Sequence, residues 1–186
     1  MPDFLAIFAS KRMRKLLNRE LGRKSIDQFI NSEKSPFVIV LDNVRSHNNV
    51  GSVFRTADAF LTERICLCGI TARPPHRDIQ KTALGATESV TWSYYQCTMD
   101  AITELRSKGY RIIVIEQAEG SVALQDVKIE KSQKYALVFG HEVNGVDQKV
   151  LDQCDLCVEI PQFGTKHSFN IAVSAGIVLW ELNRKK

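Results

Sequence analysis

No apolar run in the chain approaches the roughly 18 residues that a membrane-spanning helix needs, and residues 1–10 lack the charged start and long apolar centre of a secretory signal. A cytoplasmic protein without a membrane partner is expected. Glycine is sparse, and no two of the ten glycines are two apart, so the G-x-G of dinucleotide sites and of ordinary methyltransferases is absent. Gly140 and Gly145 have the spacing of a phosphate-binding loop, but Val146-Asp147 replaces the Lys-Ser/Thr that would hold phosphate and magnesium. That excludes an NTPase. The five cysteines are an odd number, and Cys66, Cys68 and Cys97 lie in or beside strand-like patterns, so they read as reduced core residues. Cys154 and Cys157 form a C-x-x-C with neither a second pair nor a histidine at ligand spacing, and no metal site is expected. Repeats and low-complexity stretches are also missing. What remains is 186 residues with 44% apolar and 25% charged content, the composition of a packed domain.

The formal charge of +4 is too mild to indicate a polyanionic partner, but its distribution is uneven. Residues 1–35 hold eight Lys/Arg and four acids, whereas the other 17 basic and 17 acidic residues cancel. Residues 1–35 are therefore predicted as a basic helical extension: a broken apolar stripe of Phe8, Met13, Leu16, Leu17, Leu21, Ile26, Phe29 and Ile30 fits one or two short helices within 8–31. After the breaker 31–36, the main domain, 36–186, alternates strands and helices. Strands are predicted at 37–41, 64–68, 90–95, 111–115, 135–139 and 156–160, with helices at 49–61, 78–85, 98–108, 147–152 and 168–183. Such alternation implies an α/β fold, a mainly parallel sheet covered by helices on both faces.

Two apolar runs break into small, polar loops followed by helical pattern, which reads as a ligand site. The strand ending at Phe139 delivers Gly140 and Glu142 to one edge of the sheet, and the strand ending at Ile160 delivers Pro161, Gly164, Ser168 and Asn170 beside it. In helix 49–61, Val50, Val53, Phe54, Ala57 and Leu61 form one buried stripe, and Arg55 points off it. Asn49 fits the start of that helix, from which its side chain can face the same cleft. Each residue also has a plainer role. Arg55 could pair with Asp58 or Asp42, Glu142 could be a solvated loop acid, and Ser168, Asn170 and Asn49 could serve as helix caps. His47, His76, His141 and His167 show no partner pattern.

The runs Asn48-Asn49-Val50-Gly51-Ser52-Val53-Phe54-Arg55-Thr56-Ala57, Val138-Phe139-Gly140-His141-Glu142-Val143-Asn144-Gly145 and Ile160-Pro161-x-x-Gly164-x-x-x-Ser168-Phe169-Asn170-Ile171-Ala172-Val173 resemble, in order and separation, the three motifs of the TrmH-type (SpoU) RNA 2'-O-ribose methyltransferases of the SPOUT superfamily. The resemblance implies a deep trefoil knot at the C-terminal end, S-adenosylmethionine bound within it, a homodimer, and an RNA substrate. It assigns ribose activation to Arg55 supported by Asn49, with Glu142, Ser168 and Asn170 completing the catalytic set. It assigns the methyl-donor pocket to Phe139, Gly140, Ile160, Pro161, Gly164, Ser168 and Phe169. Phe169 stands where leucine is usual, keeping an apolar wall and adding volume. It also implies that Arg55 serves the partner's pocket or lies at the boundary between subunits. The 35-residue extension is too short for a separate RNA-binding domain, which favours tRNA slightly over rRNA. The alternative is a knotted dimer that binds RNA or S-adenosylmethionine without turnover; a base methyltransferase of the same superfamily is disfavoured by the Asn49–Arg55 motif.

Overall fold

Strand β1 (Ser35–Asp42) is apolar at almost every position, and a segment with no polar face is stable only when both its faces are covered. It accordingly lies in the interior of the sheet, between two other strands. The computed structural model describes residues 13–186, and among these seven strands pair in the order β3-β2-β1-β6-β4-β7-β5, all parallel. The flanking strands are β2 (Thr62–Cys68), β3 (Trp92–Tyr95), β4 (Tyr110–Ile115), β5 (Val122–Ala123), β6 (Lys134–Phe139) and β7 (Leu156–Glu159). The helices are α1 (Ile26–Ile30), α2 (His47–Ala59), α3 (Arg77–Ala83), α4 (Ala86–Ser89), α5 (Thr98–Ser107), α6 (Gln148–Leu151) and α7 (Ile171–Lys185).

The period of two along each strand divides the core. Phe37, Ile39 and Leu41 of β1 and Leu137 and Phe139 of β6 point to one face, where Val50, Val53 and Phe54 of α2 and Ala175, Val178 and Leu179 of α7 cover them. Val38, Val40, Ala136, Val138, Ile112 and Val114 point to the other, beneath Ala101, Ile102 and Leu105 of α5. Cys66 and Cys68 are buried in this second layer, and burial pushes the Cys66 thiol up to about 11. Cys97 is exposed and does not belong to the core.

The predicted domain elements are present to within a few residues, with four departures. The strand β5 is two residues long and pairs only with β7, so it carries no periodicity to read. The predicted helix 78–85 is α3 and stops at Ala83, where Leu84 and Gly85 are both left-handed, and the short α4 after them was not expected. The last helix begins at Ile171, not at 168. In the extension, Phe8, Lys11 and Arg12 lie outside the described residues, and beyond them only a 3-10 turn (Asn18–Glu20) and α1 are helical. Its stripe is not buried: Met13, Leu16, Leu17, Leu21, Ile26 and Ile30 are exposed, and Phe29 alone joins the core. Extended backbone at Leu17 and a left-handed Gly22 break the periodicity that would have lined these side chains up.

Candidate active site

The carboxyl ends of β1, β6, β4 and β7 converge, which in a parallel sheet is where loops and helix starts can surround a ligand. A cavity of about 460 Å³ opens there, walled by residues from the ends of β4, β6 and β7 and from the segment preceding α7. On the β6 side the wall is Phe139, Gly140, His141 and Glu142; on the other it is Ile160, Ser168, Phe169 and Asn170. Gly140 is required by close approach: a Cβ there would fall 2.2 Å from the Gly145 carbonyl carbon and 2.3 Å from the Val146 nitrogen. The loop is folded back on itself by mutual hydrogen bonds of 2.9 Å between the backbones of His141 and Gly145.

Glu142 is exposed, yet both oxygens of its carboxylate are engaged within the chain. Its Oε2 accepts the Arg45 N–H at 3.0 Å, and its Oε1 accepts the Ser46 N–H and the Asn49 Nδ2 at 2.9 Å each. The Asn49 Oδ1 in turn accepts from Asn170 Nδ2 at 3.0 Å, while Asn170 Oδ1 caps α7 by accepting the Ala172 N–H at 2.9 Å. One hydrogen-bonded chain therefore joins residues 93 and 121 positions apart and fixes the first turns of α2 and α7 beside the cavity. Asn49 lies within that first turn, and Ser46 is the residue that caps α2.

Burial works against ionisation of Glu142, but the N–H groups of Arg45 and Ser46, its own backbone and the Asn49 amide outweigh it and hold its pKa below the ordinary 4.5. A carboxylate so satisfied is a poor proton acceptor and a good anchor. Its pKa is lower folded than unfolded, so its stabilisation is full above 4.5 and is lost as pH falls through the folded value. Glu142→Gln turns an amide nitrogen toward N–H donors and is expected to cost about 1 kcal/mol near neutrality, a net hydrogen bond after solvent screening. The gap from wild type should shrink as pH is lowered from neutrality into the acid range below 4.5, as the carboxylate takes up its proton. Urea midpoints at neutral and acid pH check this; a gap independent of pH would show that the charge contributes nothing.

Other expected site residues fall elsewhere. Arg55 is exposed and makes no hydrogen bond or ion pair with the described residues. It does not line the cavity; it stands between a groove along α2 and α7 and a second groove beside the N-terminal segment. Neither expected acid is its partner, since Asp58 accepts from Ser89 and the buried Asp42 accepts from Thr98, Asn43 and the Asp147 N–H. Pro161 faces the α2–α7 groove, and Gly164 has open space around a built Cβ, so nothing in the chain itself requires glycine there. Ser168 lines the cavity but caps no helix.

Sequence reasoning missed Glu116 and Gln117. The Glu116 Oε2 accepts the Val146 N–H at 3.0 Å and occupies the space a Cβ on Gly145 would need, which holds the 140–146 loop against β4. The signal was the end of predicted strand 111–115, but only the pairing of β4 with β6 puts it at the site. His141 and His167 also line the cavity, and His141 Nδ1 accepts the N–H groups of Val143 and Asn144.

The family model described as SpoU rRNA Methylase family matches residues 36–180. A 23S rRNA (guanosine-2'-O-)-methyltransferase, RlmB, of Neisseria meningitidis is 31% identical over 160 residues, covering 86% of this chain and 63% of that protein. A putative TrmH family tRNA/rRNA methyltransferase of Staphylococcus haemolyticus is 29% identical, with 65% of its length covered. The chain thus spans less than two thirds of these curated relatives. Among solved structures, an AdoMet-bound rRNA methyltransferase from Sinorhizobium meliloti superposes with a TM-score of 0.76 at 29% identity, over 82% of this chain and 57% of that one. The TrmH/SpoU tRNA modifying enzyme of A. aeolicus shares the fold, with a TM-score of 0.76 at 21% identity over 86% of this chain and 80% of its own. On the match over residues 36–180, the chain belongs to the SpoU rRNA Methylase family, the TrmH-type branch of the SPOUT methyltransferases.

Proposed function

We propose that the protein is an S-adenosylmethionine-dependent RNA 2'-O-ribose methyltransferase that acts as a homodimer in the cytoplasm. The observation that carries this reading is the Glu142–Asn49–Asn170 chain, which ties the three motifs together beside a cavity of about 460 Å³. The cavity fits the methyl donor: its volume lies in the range of small-molecule sites, and its wall at Gly140 is backbone held in place by close packing on Gly145 and Val146. Phe139, Gly140, Ile160, Ser168 and Phe169 would hold the donor, and the end of β4 would close the site. When bound, S-adenosylmethionine supplies an electrophilic methyl group on a sulfonium.

The chain's own residues then have the nucleophile to prepare. A ribose 2'-hydroxyl attacks poorly until its proton is leaving, and placement supplies much of the remaining rate. A guanidinium carries its charge at any working pH, so Arg55 orients the hydroxyl and stabilises the developing oxyanion, and the proton passes to a phosphate oxygen of the RNA. Asn49 and Glu142 keep α2, and with it Arg55, in register. Because Arg55 is off its own chain's cavity, a second copy must bring it to a methyl donor, and the α2–α7 groove is suited to that. The groove, about 830 Å³, is lined by Ala59, Phe60, Ile177 and Trp180, with Trp180 65% exposed and Gly176 open to close approach. The C-terminal knot is part of the same proposal. Its support is the return of α7 from β7 across the sheet to α2, with the Lys185 ammonium on the carbonyls of Leu124, Gln125 and Val127.

Light scattering is expected to give a dimer, and Trp180→Glu a monomer that has lost methyl transfer; a monomer with full turnover would exclude the shared site. The names of the relatives divide between rRNA and tRNA. Mapping 2'-O-methyl positions in total RNA from cells with and without the gene tests the function and identifies the RNA. Loss of at least one such position is expected, and an unchanged map would count against the reading.

A further inference from the structure

The groove beside the N-terminal segment holds charge that the chain does not balance. It has a volume of about 510 Å³ and lies between residues 21–26, α2 and the turn joining α3 to α4. Three cations line it: Arg23, Lys24 and Arg55. None of them forms an ion pair with a described residue, although Arg14 of the same segment is matched to Glu20 at 2.7 Å. The acid among the lining residues is Asp58, and its carboxylate accepts the Ser89 hydroxyl. Lys34 adds to the imbalance nearby: burial first and then the Lys24 charge lower its pKa, with only Asp58 opposing. Leu21, Ile26 and Leu84 stay partly or largely exposed at the rim, where apolar contact with a base or ribose is open to them.

We propose that this groove binds the RNA backbone, with Arg23 and Lys24 each contacting a phosphate and leading the strand to Arg55 in the same groove. The inference rests on the RNA methyltransferase reading and adds the path of the substrate to it. Three unmatched cations around a single engaged acid form a phosphate site, because each contact gains Coulomb energy and releases condensed counterions. Arg55 belongs to this groove and to the α2–α7 groove at once, so RNA lying here reaches the residue that also borders the apolar contact. The segment thereby becomes a substrate clamp, contributing residues 21–26 and Phe29 to the groove.

The test is binding of a labelled hairpin RNA to the full chain over a range of salt, followed by fluorescence anisotropy, comparing wild type with Arg23→Ala/Lys24→Ala. Each phosphate contact contributes between about 0.7 and 0.9 to the slope of log K against log salt, so loss of two lowers the slope by about 1.5 and weakens binding about tenfold or more near 0.1 M salt. Affinity for S-adenosylmethionine and the circular dichroism spectrum should stay at wild-type values, which separates lost contact from lost fold. Lys128→Ala/Lys149→Ala removes the same charge outside the groove and should leave the slope nearly unchanged. Wild-type affinity and slope in the Arg23/Lys24 variant would overturn the groove while leaving the activity standing. A wild-type chain that binds S-adenosylmethionine but no RNA would overturn both.

Discussion

Arg55→Ala is expected to lower methyl transfer about a hundredfold or more while leaving the fold and the affinity for S-adenosylmethionine nearly intact. The rate loss is that of removing one oriented charge from a reacting centre. The fold is spared because Arg55 is exposed on α2 and bonded to no described side chain, and exposed substitutions of that kind usually stay within about 0.5 kcal/mol. Donor affinity is spared because the cavity wall does not include it. Two residues earlier, Val53 is fully buried against the sheet, so Val53→Asp puts an unpaired charge into the core and should unfold the protein. Thermal denaturation, calorimetry and turnover on bulk RNA separate the two outcomes. Wild-type turnover in Arg55→Ala would remove the ribose-activation role, and melting like Val53→Asp would make Arg55 structural.

Gly140→Ala should fail at an earlier stage, by losing the methyl donor. The added Cβ meets backbone of the same loop on three counts, at 2.2 Å, 2.3 Å and 2.4 Å from the Gly145 carbon, the Val146 nitrogen and the Gly145 oxygen. No side chain can rotate out of the way, so the 140–146 loop must shift, carrying Glu142 off the start of α2 and displacing Val146 from Glu116. Overpacking of this kind costs about 1–3 kcal/mol in stability, and a shift of the cavity wall worth about 1.4 kcal/mol would weaken donor binding tenfold. Gly164→Ala is the matched control, since a Cβ there meets nothing within 4 Å and should be nearly silent in the same chain. Denaturant midpoints and calorimetry on both variants check the pair. If Gly140→Ala is as silent as Gly164→Ala, backbone approach does not shape the site.

These residues also mark how far the sequence alone could reach. Gly140, Glu142 and Asn170 were legible because apolar runs long enough to be buried strands end beside them, and Arg55 was legible as the polar member of a helix whose other face is Val50, Val53, Phe54 and Ala57. The bonds among Glu142, Asn49 and Asn170 were not, since nothing local fixes a contact across 93 or 121 residues. Glu116 needed the strand order, which places β4 beside β6 although β5 intervenes in the chain. The segment 13–30 misled for the opposite reason. It carries a helical period of apolar residues, but apart from Phe29 these side chains are not buried among the described residues, and burial is what turns a period into a helix. Pro161 and Gly164 share the motif with Ser168, yet they sit in an irregular loop whose facing no periodicity encodes.

The most direct measurement is transfer of label from methyl-labelled S-adenosylmethionine to bulk RNA by the 186-residue chain, followed by digestion to nucleosides and identification of the labelled product by mass spectrometry. The label is expected in a 2'-O-methylated nucleoside, to be absent with Arg55→Ala, and to fall with Trp180→Glu as the dimer is lost. Label on a base, or no transfer by a dimer that binds the methyl donor, would contradict the assignment of ribose methylation to this site.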